Sequence, residues 1–189
     1  MLSSVLMAFV ETAKNKLLLK VVLAGPPAVG KSTRLDQIAV EGRRESFGSK
    51  LLARTEMAIF PLVVPDSPRS VEMEIYEWHG PEKVDVRAKA LFVGLDGLIY
   101  VADAREDRWI DTTKGFEFLL DEAGKSRIQR VPGLLVLGHQ DEGLLRLPRF
   151  IDELEGPTWC TSVDSPVDEA APFLEALRLF GEAMLARVL

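Results

Sequence analysis

The chain has 189 residues, 47% hydrophobic and 28% charged, the proportions of a globular protein long enough for one sizeable core. A formal net charge of −6 argues against nucleic acid or an anionic membrane surface as the main partner. The lone cysteine, Cys160, excludes an intrachain disulfide and fits a reducing, cytoplasmic setting; no apolar run reaches membrane-spanning length, and the apolar start Met1–Val10 lacks the basic flank of a signal peptide.

Taken in order, residues 1–16 read as an extension contributing an extra strand or helix to a single domain that spans 1–189. Apolar, β-rich runs predict strands over Leu17–Ala24, Ala58–Val64, Val71–Trp78, Gly97–Asp103, Gly133–Gly138 and Thr158–Ser162. Helical spacing predicts helices over Lys31–Val40, Asp85–Phe92, Asp107–Ala123, Leu147–Leu154 and Val167–Leu189. In the last, Phe173, Leu174, Leu177, Phe180, Met184 and Val188 form one apolar stripe, a core face. Pro65-Asp66-Ser67-Pro68 marks a tight turn between antiparallel neighbours, and the intervening helices elsewhere imply parallel crossovers. The expected fold is α/β: a mostly parallel six-stranded sheet with one antiparallel hairpin and helices on both faces.

Gly25-Pro26-Pro27-Ala28-Val29-Gly30-Lys31-Ser32-Thr33, between the first strand and first helix, fits the phosphate-binding pattern G-x-x-x-x-G-K-[ST]. Successive backbone N–H groups of such a loop, from Gly25 through Ala28, Val29, Gly30 and Thr33, wrap a phosphate, and the helix N-terminus adds a favourable dipole. Lys31 is placed to reach β and γ phosphates as a point charge, and Ser32 offers a hydroxyl to Mg²⁺. His79 and His139 are the chain's two histidines and sit on separate loops, and Cys160 has no partner at metal-ligand spacing, so no zinc site is expected. Nor is there a G-x-S-x-G elbow for Ser-His-Asp chemistry.

This outline resembles small Ras-like GTPases, a P-loop NTPase fold whose ligands sit at the carboxyl ends of the strands. The resemblance implies further site residues. The polar stretch from Glu41 to Thr55 corresponds to switch I, with Thr55 as the Mg²⁺-binding threonine; Arg54 is either an arginine finger in cis or a solvated loop arginine. Glu77-Trp78-His79-Gly80-Pro81-Glu82 corresponds to switch II. Gly80 is retained for the γ-phosphate, Glu77 replaces the usual aspartate, and Pro81 stands where a water-positioning glutamine is usual; His79 and Glu82 are either substitutes for it or plain loop residues. Asp141 falls at the guanine-reading aspartate, Gly138 and His139 replace asparagine and lysine, and Thr161-Ser162-Val163 corresponds to the base-contacting loop. Trp78 and Trp109 are candidate partner contacts or partly core.

Within that group, Met7-Ala8-Phe9-Val10, Lys20–Pro26, Arg54-Thr55 and Phe92–Asp103 resemble MglA, the bacterial gliding-motility and cell-polarity GTPases. The resemblance implies a cytoplasmic protein that binds GTP or GDP with Mg²⁺, takes a roadblock-type regulator and uses its arginine in cis. Pro81 and Gly138-His139 depart from the pattern, so three readings stand: a nucleotide switch with weak hydrolysis, a pseudo-GTPase working through its surface, or a P-loop kinase or ATPase. The third lacks an arginine-rich lid and has the wrong hairpin order.

Overall fold

Side chains alternate between two apolar layers along the first long strand, β2 (Lys16–Ala24), and this alternation sets the architecture. Leu17, Leu19, Val21 and Leu23 enter one layer, Val22 and Ala24 the other. The structure is a computed structural model that describes residues 9–11, 15–47, 55–65, 67–80, 86–138, 147–154 and 156–188. The remaining strands are β1 (Phe9–Glu11), β3 (Arg43–Phe47), β4 (Thr55–Leu62), β5 (Ser70–Glu77), β6 (Gly97–Asp103), β7 (Pro132–Gly138) and β8 (Thr158–Asp164). They form one eight-stranded sheet in the order β3-β4-β5-β2-β6-β7-β8, with β1 paired to β2.

β2–β5, β2–β6, β6–β7 and β7–β8 pair in parallel. The hairpin of β4 and β5 is antiparallel, with Ala58 opposite Ile75, and its turn is closed by the Ser67 N–H donating to the Val64 carbonyl at 3.3 Å. Helices α1 (Lys31–Glu41) and α6 (Ala170–Val188) cover one face, where Leu35 and Ile38 meet Phe173, Leu177, Phe180 and Met184. The other face is covered by α2 (Val86–Leu91), α3 (Trp109–Ala123, entered through a 3₁₀ turn at Glu106–Arg108), α4 (Lys125–Ile128) and α5 (Leu147–Glu153). There Phe92, Phe116, Leu119, Ile128 and Phe150 pack on the even-numbered side chains of β2 and β6. The chain passes from β5 to β6 through α2, from β6 to β7 through α3 and α4, and from β7 to β8 through α5. No helix among the described residues is long and apolar enough to cross a membrane.

The sheet has two more strands than the expected six. β1 pairs with Lys16–Leu18, the part of the β2 edge that β6, paired with Val21–Ala24, leaves open. Three residues carry no readable period. β3 falls in the stretch expected to be a polar switch loop: Arg-Arg-Glu-Ser-Phe shows no apolar alternation, yet it pairs antiparallel with β4. Its arginines are tied down laterally, Arg43 to Glu45 at 2.9 Å and Glu72 at 3.0 Å, Arg44 to Asp36 and to Glu56 at 3.3 Å. At the far end, β8 runs two residues past the expected Ser162, to Asp164, and α6 begins at Ala170 rather than the expected Val167, so residues 165–169 connect the two. Trp78 is a core residue, stacked on Phe118 and edge-on to Phe92, each with centroids 5.9 Å apart.

Phe180, fully buried between α6 and β6, abuts Gly97, where a Cβ would lie 2.7 Å from the Phe180 ring. Replacing it with alanine leaves a cavity that neighbouring strands cannot fill. Phe180→Ala is expected to lower the unfolding free energy by about 3–5 kcal/mol in urea denaturation. A loss below about 1 kcal/mol would mean that α6 does not carry this face.

Candidate functional site

The chain leaves β2 at Ala24 in the middle of the sheet, where parallel neighbours flank it on both sides. The connection must therefore turn tightly at the carboxyl edge. Gly25 adopts φ 153° and lies so close to the Val101 carbonyl oxygen on β6 that a Cβ would overlap it. Ala28 is left-handed at φ 61°, as is Gly30 at φ 90°, just before α1. Left-handed residues within such a turn rotate successive N–H groups toward one concavity, the geometry of an anion nest. Val29 takes part through its backbone, since its side chain is buried in the core.

Lys31 is 6% exposed, and its ammonium donates to the Gly25 carbonyl at 3.0 Å and the Pro26 carbonyl at 2.8 Å. Burial pulls its pKa below the ordinary lysine value, and the nearby Glu77 carboxylate partly restores it. Next to it, the Ser32 hydroxyl donates to Glu77 at 2.9 Å from Oε1 and 3.1 Å from Oε2. Glu77, at the end of β5, is 3% exposed, and His79 Nδ1 stands 3.5 Å from Oε1. Pro27, Ala28, Gly30, Lys31, Ser32, Thr33, Glu77 and His79 line a cavity of about 470 Å³.

This arrangement fits a phosphate group and a hard divalent cation. The left-handed turn supplies N–H groups, Lys31 supplies a cation resting on the loop's own carbonyls, and Ser32 with Glu77 presents a hydroxyl and a carboxylate side by side. Magnesium prefers such oxygen donors and keeps several waters.

The structure brings together Gly25, Ala28, Gly30, Lys31, Ser32 and Thr33 with Glu77 and His79. Gly80 follows directly at φ 79°, a conformation suited to glycine. Thr55 begins β4 opposite Phe47 and does not line the cavity. Ser162 stands within β8 opposite Leu135, two residues before the strand ends. Arg54, Pro81, Glu82, His139 and Asp141 lie outside the described residues.

Sequence reasoning missed Arg34, the most enclosed charged side chain near the loop, at 1% exposed. A signal was present: Lys31, Arg34, Leu35 and Ile38 follow the i, i+3, i+4, i+7 spacing of a buried helix face. An arginine on that stripe requires a built polar environment.

A sheet with parallel central strands and the antiparallel β4–β5 hairpin, helices on both faces and a Gly-x-x-x-x-Gly-Lys-Ser turn after the central strand fits the Ras-like P-loop GTPase fold. The chain is similar to GTP-binding protein YPTC5 of Chlamydomonas reinhardtii, 24% identical over 82% of this chain and 73% of that protein. It is 26% identical to Ras-related protein Rab-7a of Dictyostelium discoideum over 79% of this chain and 70% of that one. With Ras-related protein RABG3d of Arabidopsis thaliana it shares 24% over 80% and 71%. No protein-family model matches. These weak but long similarities support a Ras-like small GTPase.

Because only hydrogen fits at Gly25, Gly25→Ala must push β6 or the turn aside. The expected loss is about 1–3 kcal/mol of unfolding free energy. Unchanged stability in a denaturant titration would mean that the turn does not press on Val101.

Proposed function

We propose that this protein is a nucleotide-dependent switch that binds GTP or GDP with Mg²⁺ at the Gly25–Thr33 turn. The observation that carries the reading is the Lys31–Ser32–Glu77 cluster opening onto the cavity beside a left-handed N–H cradle. Lys31 exchanges its two carbonyl acceptors for phosphate oxygens, and Ser32 and Glu77 present the oxygen donors for the cation. Bound magnesium would supply charge neutralisation on the phosphates. Thr55, at the start of β4, gives its hydroxyl to the cation, and Arg54 acts in cis on charge developing during hydrolysis. Gly80 offers its N–H to the γ-phosphate, and Asp141 reads the base beside His139 and Ser162.

The finer reading is an MglA-like GTPase: a cytoplasmic polarity or motility switch with a roadblock-type regulator. Its support is the sequence resemblance at the P-loop, at Arg54-Thr55 and across Phe92–Asp103. Pro81, at the position of the water-orienting glutamine, supports weak intrinsic hydrolysis and keeps a second reading open, a pseudo-GTPase that holds nucleotide without turning it over.

Nucleotide released by denaturing protein purified in Mg²⁺ is expected to be guanine nucleotide. Chelation by EDTA should speed its loss, and Lys31→Ala should abolish retention; retention unchanged by that substitution would defeat the assignment of the turn. Pro81→Gln is expected to raise single-turnover hydrolysis by about 10²-fold, the low end of what a positioned acid–base side chain contributes. No gain in rate would mean that another side chain orients the water.

A further inference from the structure

Arg34 points away from the cavity and into the connection that follows β8. Its Nη2 donates to the Ser165 carbonyl and, at 3.2 Å, to the Pro166 carbonyl. Nη1 donates to the Ser165 hydroxyl at 3.1 Å, the Gln37 Oε1 at 2.8 Å and the Glu169 carbonyl at 3.5 Å. The guanidinium carbon lies 5.0 Å from the centroid of the Phe173 ring. One turn along α1, Gln37 Nε2 donates to the Val167 carbonyl at 2.7 Å. Burial draws the Arg34 pKa down to about 10, opposed by nearby Asp168. The cation thus remains charged at neutral pH and directs both terminal nitrogens to one short turn, while its buried Nε has no partner among the described residues.

That turn touches the phosphate loop. A Cβ on Gly30 would lie 2.8 Å from Val167 Cγ2, so the valine closes the loop on its β8 side. On the same side the Ser165 N–H donates to the Leu137 carbonyl at 3.1 Å, fastening the turn to the end of β7. The cavity beside Lys31, Ser32 and Glu77 lies toward β5. The ends of β7 and β8 therefore border the loop where the rest of a ligand anchored by its phosphates extends.

We propose that Arg34, backed by Gln37, is a positioning residue that clamps the Ser165–Val167 turn against Gly30 and so sets the nucleoside-facing wall of the site. This rests on the nucleotide-binding reading above. The clamp contributes to affinity for the nucleoside portion and leaves the grip on phosphate to the turn and Lys31. Its carbonyl acceptors match the fork of an arginine, and a lysine in its place reaches fewer of them.

The test compares GTP with inorganic tripolyphosphate, both with Mg²⁺, by calorimetric titration of the full chain. Hydrogen exchange at 165–170 is followed in parallel. Arg34→Met should weaken GTP by about tenfold or more, the cost of losing hydrogen bonds to a charged group, with tripolyphosphate affinity unchanged and exchange at the turn accelerated. Arg34→Lys should recover part of the GTP affinity. Gln37→Ala, at a half-buried position, should move GTP in the same direction by less, which keeps the test open if Arg34→Met fails to fold. Equal losses for both ligands, or no loss in either, would overturn the clamp. A parent protein that holds tripolyphosphate as well as GTP would overturn the wall while leaving the phosphate site standing. A parent protein that binds neither would overturn the nucleotide reading itself.

Discussion

The burial of β2 on both faces dictates where and how the glycine turn leaves the sheet. Its inner side chains are sealed under α1 and α6 on one side and under the α3 layer on the other, and parallel strands occupy both edges at its carboxyl end. The chain cannot bend within the sheet, so it turns at once, against the carbonyl of Val101, at a residue with no side chain. The direction of α1 and the inward aim of the loop's N–H groups follow from that single turn. A different central strand, or one exposed on one face, would leave the turn free to relax and the nest unformed.

Burying so much charge at one end of a sheet is tolerable because each group is answered locally. Lys31 rests on the carbonyls of its own loop, Ser32 and His79 bracket Glu77, and Asp103 at the end of β6 holds Arg105 at 2.7 Å. The extra methylene of Glu77, where an aspartate is usual, bears directly on this pattern: the carboxylate comes close enough to accept the Ser32 hydroxyl without an intervening water. These pairings are soft enough to exchange for a ligand's oxygens, which suits a site that must be both stable and available.

The sequence made the central elements legible because two periodicities reinforced one another. β6 runs Gly97–Asp103 as its apolar run predicts, and the α6 stripe from Phe173 to Met184 is buried as its spacing predicts. The phosphate loop was readable for a different reason: its geometry demands particular residues at fixed offsets. What escaped lacked such a signature. β3 is charged on both sides and owes its place to its neighbour β4 and to cross-strand ion pairs. The pattern starts α6 three residues early, at Val167 instead of Ala170, because nothing local marks a connection whose shape is imposed by an arginine 131 residues earlier in the chain. Long-range polar contacts of this kind leave no period to read, only an out-of-place charge on an apolar stripe.

β3 also closes one border of the sheet, and its composition governs what that border does in a crowded solution. A terminal strand exposes a row of unpaired backbone groups that can template the addition of a strand from another molecule. Here Arg43, Arg44 and Glu45 are exposed along it, the arginines bridged sideways to Glu72 and Asp36. Each such surface pair adds little stability, about 0–1 kcal/mol. Their worth lies in solubility: an incoming strand would have to desolvate or displace fixed charges before forming its first ladder bond. A strand of this composition can therefore sit at the rim of the sheet without becoming a nucleus for aggregation.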